Sequence, residues 1–258
     1  NQTLQAVYGF QIDLNTSFTG EDSLDISIDA GNGSSAGPLG EFDLNGGSDA
    51  LTVDGVSYTF PLGGLTAIVG DNTDGSALFT TACVYGGPSN TLDDCGNVNA
   101  GITNGGFAVG ASYEFDNGIS VAVGYTGAGS STSGLMTKES ADSFGGQISY
   151  AADLFGASVT YGNVEDYSGS NDRNFYGLNG YFTPSEVGII PSISVGYEIG
   201  DAQGLADTDQ WFVGLQWDEA GPGTFGTAAG TVGASTDTQP HLQNGGGDPE
   251  LMMYEAFY

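Results

Sequence analysis

Residues 4–15, "LQAVYGFQIDLN", place Leu4, Ala6, Tyr8, Phe10, Ile12 and Leu14 on one side of an extended chain. Gln5, Gly9, Gln11, Asp13 and Asn15 fall on the other, with Val7 the single exception. Strict alternation of this kind predicts a β-strand with two unlike faces. It continues for longer than the five or six residues usual in a soluble sandwich, and for as long as a tilted strand needs to cross a bilayer.

The pattern recurs along the chain. "DSLDISIDA" sets Leu24, Ile26, Ile28 and Ala30 against Ser23, Asp25, Ser27 and Asp29. That second face must be wet, because carboxylates buried in a dry core are costly. "LTVDGVSYTFPL" changes phase at Asp54-Gly55, which predicts a bulge. In "GGFAVGASYEFDNGISVAVGYT" the Asp116-Asn117-Gly118 turn joins two alternating runs, a strong hairpin signal. "SFGGQISYAADLFGASVTYGN" repeats that design around Asp153, and in "QWFVGLQWD" the apolar face is Trp211, Val213, Leu215 and Trp217. With weaker segments near 65–69, 224–232 and 250–258, about a dozen strands are expected and no helix of consequence.

Predicted turns after Phe60, Phe115, Ala152 and Phe182 are short, whereas 31–49, 71–105, 126–142, 162–174 and 200–208 read as long loops. Short turns at one end and long loops at the other are the rhythm of an outer-membrane barrel. Tyr8, Tyr113, Tyr125, Tyr150, Tyr161, Tyr197 and Trp217 lie near the ends of the apolar faces, where interfacial aromatic girdles belong. Alternation alone fits a soluble barrel as well. The polar face, however, is made of Gly, Ala and Ser with almost no Lys or Arg, whereas soluble sheets protect their exposed faces and edges with charge. The reading favoured by the residues is an all-β, transmembrane, antiparallel up-and-down β-barrel.

Composition sharpens this picture. Of 258 residues 45 are Gly, and 32 Asp and Glu face only two basic residues, Lys138 and Arg173, for a net charge of -30. Phosphate binding needs clustered Lys and Arg, so nucleic acid is not expected as a partner. The acidity fits adaptation to salt or solubility, and equally an acid-lined path for cations. Cys83 and Cys95 bracket a turn-forming stretch in "ACVYGGPSNTLDDCGN", which favours a disulfide over two free thiols and a compartment outside the cytosol. No apolar run is long enough for a membrane helix, and the N-terminus lacks the pattern of a signal peptide.

No nucleophile elbow, phosphate loop or paired His is present, so neither an enzymatic activity nor a cofactor is expected. "GDNTDGSA" does not fit the register of a calcium loop, nor does "GGGDPE". His241 sits in a polar stretch as a solvated side chain, and the Asn15 and Asn32 triplets carry little information.

The segments "ALTVDGVSYTFPLGGLTAIVGD", "SALFTTACVYGGPSNTLDDCGNVNAG", "GASYEFDNGISVAVGY", "ADSFGGQISYAADLFGASVTYGN", "DTDQWFVGLQWD" and "GGGDPELMMYEAFY" occur in this order across the chain. In order and spacing they resemble the outer-membrane porins of cyanobacteria, in the carbohydrate-selective porin superfamily, of which some are described as iron-uptake porins. The resemblance implies a barrel of sixteen strands in the full protein, homotrimers in outer-membrane lipid, and passive passage of small solutes, sugars or ions. Residues 1–258 would form one porin domain without the surface-layer-homology domain common in the family. The ending "ELMMYEAFY" reads as a strand just begun, with closing strands expected outside this chain.

If the apolar faces meet lipid, Asp13, Asp25, Asp29, Glu114, Gln147, Glu198 and Gln216 face the lumen, whose potential is negative and favours cations. The loop from Asp71 to Asn104, closed by Cys83 and Cys95, is the candidate constriction, with Asp71, Asp74, Asp93 and Asp94 setting its charge. A long acidic loop also fits plain surface decoration. The competing function is a secreted, acidic, Gly-rich β-protein with a structural, adhesive or carbohydrate-binding role at the cell surface.

Overall fold

The computed structural model describes residues 6–33, 41–42, 49–102, 106–128, 134–137, 141–167, 171–186, 188–201, 207–231 and 252–258. His241, Lys138 and the "GGGDPE" stretch lie outside them. Thirteen strands follow one another: β1 (Gly9–Thr16), β2 (Ser23–Gly31), β3 (Thr52–Leu62), β4 (Leu65–Asp71), β5 (Phe107–Glu114), β6 (Ile119–Gly127) and β7 (Asp142–Ala151). The series continues with β8 (Phe155–Tyr167), β9 (Asn171–Phe182), β10 (Ser192–Asp201), β11 (Thr208–Ala220), β12 (Gly223–Thr231) and β13 (Met252–Phe257). Each pairs antiparallel with its sequence neighbour in one sheet ordered β1 to β13. Among the described residues β1 and β13 do not pair, so the sheet is not closed.

The local chemistry of the turns and bulges accounts for the register. At the β5–β6 hairpin Gly118 takes φ +83°, a left-handed conformation open to glycine without a Cβ penalty. The Phe115 N–H then donates to the Ile119 carbonyl at 2.8 Å. At the expected phase change, Ser27 pairs with Gly55 but Ile28 with Val53, so Asp54 is the extra residue of a bulge. The expected long loop at 162–174 is instead mostly strand, with β8 running to Tyr167 and β9 starting at Asn171. Its polar residues suggest a loop, but they sustain the ladder. Asn174 Oδ1 accepts from Tyr161 Oη at 2.8 Å and from Asn163 Nδ2 at 3.0 Å across the strand pair.

The two faces are inverted relative to a water-soluble protein. Val123, Ile148, Val159 and Leu178 are 56–60% exposed, while Ser143, Ser158, Thr160 and Ser194 on the opposite face are at most 1% exposed. The ladder orders the outward side chains. Four strands each carry two aromatic residues six positions apart: Phe144 and Tyr150, Phe155 and Tyr161, Tyr176 and Phe182, Trp211 and Trp217. Six residues are about 20 Å of strand, so the rings form two rows with aliphatic side chains between them. Neighbours within the rows touch: ring centroids lie 5.5 Å apart for Tyr161–Tyr176, 5.7 Å for Tyr150–Phe155 and 5.6 Å for Trp217–Phe225. Such a band between aromatic rows suits hydrocarbon flanked by interfaces. No helix among the described residues is long and apolar enough to cross a membrane, which has no bearing on a strand-built crossing.

Placing a cation in the middle of this band tests its environment. Val159→Arg is expected to lower stability by about 2–4 kcal/mol in lipid vesicles, as measured by denaturant unfolding. An unchanged midpoint would show that the Val159 face meets water.

Candidate functional site

The described part of the β4–β5 connection, residues 72–102, lies on the polar face of the sheet as a flattened hairpin. Its outgoing limb crosses strands in order: the Ala82 N–H donates to Ser158 Oγ on β8 at 2.9 Å, and the Val84 N–H to Ser194 Oγ on β10 at 3.0 Å. The Gly86 N–H then donates to Gln216 Oε1 on β11 at 3.0 Å, and Tyr85 Oη to Glu255 Oε1 on β13 at 2.5 Å. The returning limb lies one row away. Gln210 Nε2 donates to the Gly96 carbonyl at 3.2 Å, Asn179 Nδ2 to the Cys95 carbonyl at 2.8 Å, and Asn97 Nδ2 to Thr160 Oγ1 at 3.2 Å.

Glycine makes room for both limbs. Gly110, Gly124, Gly145 and Gly162 stand in direct register across β5 to β8. Gly177, Gly196, Gly214 and Gly230 carry the row over β9 to β12. A Cβ at Gly124 would overlap the Gly75 carbonyl oxygen, at Gly177 the Asn97 side chain, and at Gly196 the Cys95 carbonyl oxygen. At Gly162 it would press on Ala100 and at Gly230 on Leu92. The wall is thus bare backbone where the loop backbone lies on it.

The Cys83–Cys95 disulfide ties the two limbs together, with Cα atoms 6.4 Å apart. Around it Tyr85, Leu92, Cys95, Phe212 and Ala228 form a small apolar core on an otherwise polar wall, flanked by Met253 and Phe257. A second contact reaches the loop from the β2–β3 connection. Glu41 accepts from the Thr91 N–H at 3.1 Å and from the Thr91 hydroxyl at 3.0 Å.

The carboxylate of Glu198 is 2% exposed and gathers four donors. Oε2 accepts the Asn99 N–H at 2.9 Å and the Ala100 N–H at 2.7 Å; Oε1 accepts Asn99 Nδ2 at 2.8 Å and Gln210 Nε2 at 3.1 Å.

The residues singled out from the sequence fall into three groups. Asp13, Asp25 and Asp29 share the polar face of β1 and β2, outside the part covered by the loop. Asp13 Oδ1 accepts from Gln11 Nε2 at 2.9 Å and from Ser27 Oγ at 2.7 Å, and Asp25 Oδ2 from Ser23 Oγ at 2.7 Å. Glu114 lies exposed at the short-turn end of β5. Gln147, Glu198 and Gln216 sit on the same face but bond to the loop, with Gln147 and Glu198 buried beneath it. Of the loop carboxylates, Asp71 ends β4 and Asp74 follows it, while Asp93 and Asp94 line a cavity of about 160 Å³ with Ser76, Phe79, Thr81 and Asn97.

Burial, with the charge of Asp94 next, pushes the Asp93 carboxyl up to about 7. Burial also raises Asp94, to about 6, with the charges of Glu198 and Asp74 adding to it. Among the described residues no group of three or more His, Cys, Asp or Glu is arranged to hold a metal ion. The one described basic side chain, Arg173, is buried and donates to Thr208 Oγ1 at 3.0 Å.

Ser158, Ser194, Asn179 and Gln210, which bond to the loop, were not among the sequence candidates. Their inward parity in alternating strands was a usable signal. Nothing local marks Asn97, Asn99 or Glu41.

No protein-family profile matches the chain, and no curated protein matches it. Solved structures do. A mutant porin of Rh. blastica is 14% identical, with a TM-score of 0.50 over 88% of this chain and 80% of its own. OprB of Pseudomonas putida, in a high-pH structure, is 12% identical, with a TM-score of 0.52 over 99% of this chain and 79% of its own. These likenesses show the fold, that of the outer-membrane porin barrels.

The glycine row yields a direct test. Gly124→Ala and Gly177→Ala are expected to lift the loop and expose Tyr85 and Leu92 to a chymotrypsin-type protease. Gly180→Ala on the outer face, where a Cβ meets only ordinary contacts, should resist as the parent does. Equal resistance in all three would remove the steric role of the row.

Proposed function

We propose that this chain is an outer-membrane porin, a water-filled channel through which small solutes and inorganic ions diffuse, with cations preferred. The observation that carries this reading is the inverted sheet: apolar side chains outward, hydrogen-bonded polar side chains inward, and a long loop folded onto the inward face. A secreted adhesive or carbohydrate-binding protein would bury the apolar face, which is here the exposed one. The resemblance to cyanobacterial carbohydrate-selective porins supports homotrimers in outer-membrane lipid, with sugars or metal ions as further solutes.

Selectivity follows from where the uncovered charges lie. The loop occupies the wall from β6 to β13, and on the inner face of β1 and β2 Asp13 is exposed and Asp25 half-exposed, while Asp29 has one carboxylate oxygen buried. Asp93 reaches solvent at the mouth of the loop cavity, its carboxyl crowded by the protein around it. Solutes then pass between two acidic banks, and the described part of the chain offers no exposed basic side chain to offset them. A negative lumen concentrates cations and repels anions.

The raised carboxyls of Asp93 and Asp94 fix the sign of the pH dependence. Each holds its proton at pH 5 and releases it on passing about 6 to 7, so negative charge on the loop grows from pH 5 to pH 8. Single channels in a planar bilayer under a KCl gradient should give stable steps. Their reversal potential should favour K⁺, more so at pH 8 than at pH 5. Asp93→Asn with Asp94→Asn should flatten that dependence. Absence of steps from folded protein in lipid would sink the channel reading, and an anion-favouring potential would sink the selectivity.

A further inference from the structure

We propose that Glu198 holds the channel open without touching solute, as the positioning residue that keeps the returning limb of the loop down on the wall. The inference rests on the channel reading.

Three observations carry it. Glu198 stands on β10 between Gly196 and Gly200, opposite Gly177 of β9 and Gln210 of β11. It is therefore the one carboxylate in a stretch of wall cleared by glycine. Its two oxygens take three donors from two successive loop residues, Asn99 and Ala100, and one from the wall, Gln210. The other bonds that hold the returning limb, at Gln210, Asn179 and Thr160, join neutral groups one at a time; on the outgoing limb Ser158, Ser194, Gln216 and Gln147 do the same, and Glu255 takes a single bond, from Tyr85 Oη. Four bonds gathered on one carboxyl hold more firmly than single bonds spread along the wall, and losing the acceptor leaves all the buried donors unsatisfied.

The same limb carries the charges facing solute. Asp93 and Asp94 lie five to six residues before Asn99, and Asn97 and Gly101 line the same cavity. While the clasp holds, the backbone of 95–100 lies flat on the glycine row and the lumen beside it is clear. Once released, that limb has one direction to move, away from the wall and into the lumen. The disulfide then carries residues 83–95 with it.

The test uses the full chain in planar bilayers. Glu198→Gln keeps the side-chain length but turns an NH₂ toward loop donors. It is expected to lower the time-averaged single-channel conductance by about twofold or more, with rapid closures, and to weaken the pH dependence of selectivity. Heat-modifiable migration on a gel, which reports the barrel, should stay as in the parent. Asn99→Ala, which leaves the wall intact and removes one loop donor, should give the same closures in milder form. The double variant should be no worse than Glu198→Gln alone, because both changes break one clasp.

Conductance and noise unchanged in both variants, in barrels that migrate normally, would overturn the proposal. So would effects that add fully in the double variant. If Glu198→Gln does not form barrels, Asn99→Ala decides the matter alone. A parent protein that gives no steps would instead remove the channel reading, an outcome separate from failure of the clasp.

Discussion

The constraint on which the structure depends is that a strand in hydrocarbon has no water to satisfy its backbone. Every N–H and C=O must find a neighbour in the sheet, and every outward side chain must tolerate lipid. From β2 to β12 the ladder meets the first demand through sequence-adjacent antiparallel pairing on both sides, while β1 and β13 each pair on one side among the described residues. Exposed Val123, Ile148, Val159 and Leu178, between two rows of aromatic rings, meet the second. Polar side chains are left to the inner face by parity, and there they need partners of their own. The loop supplies many of these partners. Ser158, Ser194, Gln216, Asn179 and Glu198 would face a wide water column without it; with it they are cross-links.

The same constraint explains the glycine content. Glycine weakens an ordinary strand, since it has no side chain to pack and loses more conformational freedom on folding. Here it sits where the backbone or side chains of the loop lie against the sheet, one in the row from each strand β5 to β12, with four in direct register. A side chain at Gly124, Gly177 or Gly196 would occupy the place of the loop itself. The strands give up some intrinsic propensity, and the loop gains a flat bed that brings its N–H groups within reach of the wall.

Much of this was legible in the sequence because strand periodicity is a strong local signal. The alternation over Gly9–Thr16, the bulge at Asp54 and the Asn117-Gly118 hairpin all depend on residues close in the chain; residues 6–8, expected in the same first strand, lie outside it, and Leu4 and Gln5 lie outside the described residues. Which face meets water was not legible from alternation alone, since a soluble barrel has the same period. The extent of β8 and β9 was hidden for a related reason. Asn163 and Asn174 look like loop residues one at a time but pair across strands. The inward parity of Gln147 and Glu198 could be read, but not that a loop would cover them. That depends on contacts such as Asn99 with Glu198, separated by 99 positions in the chain, which no local pattern encodes.

The chemistry of the clasp suits a chain with a net charge of -30. A loop held by salt bridges would need basic side chains that this sequence almost lacks, and exposed pairs of that kind weaken as ionic strength rises. Glu198 is satisfied by amide donors alone, out of contact with bulk salt. Its charge is compensated by dipoles that the loop backbone brings with it, so the loop and the wall each complete the other. No other acid is then required to hold this limb down by ion pairing, and Asp93 is left at the loop surface. The imbalance of acidic over basic residues is thus compatible with a firmly seated loop because the seat does not depend on opposite charge.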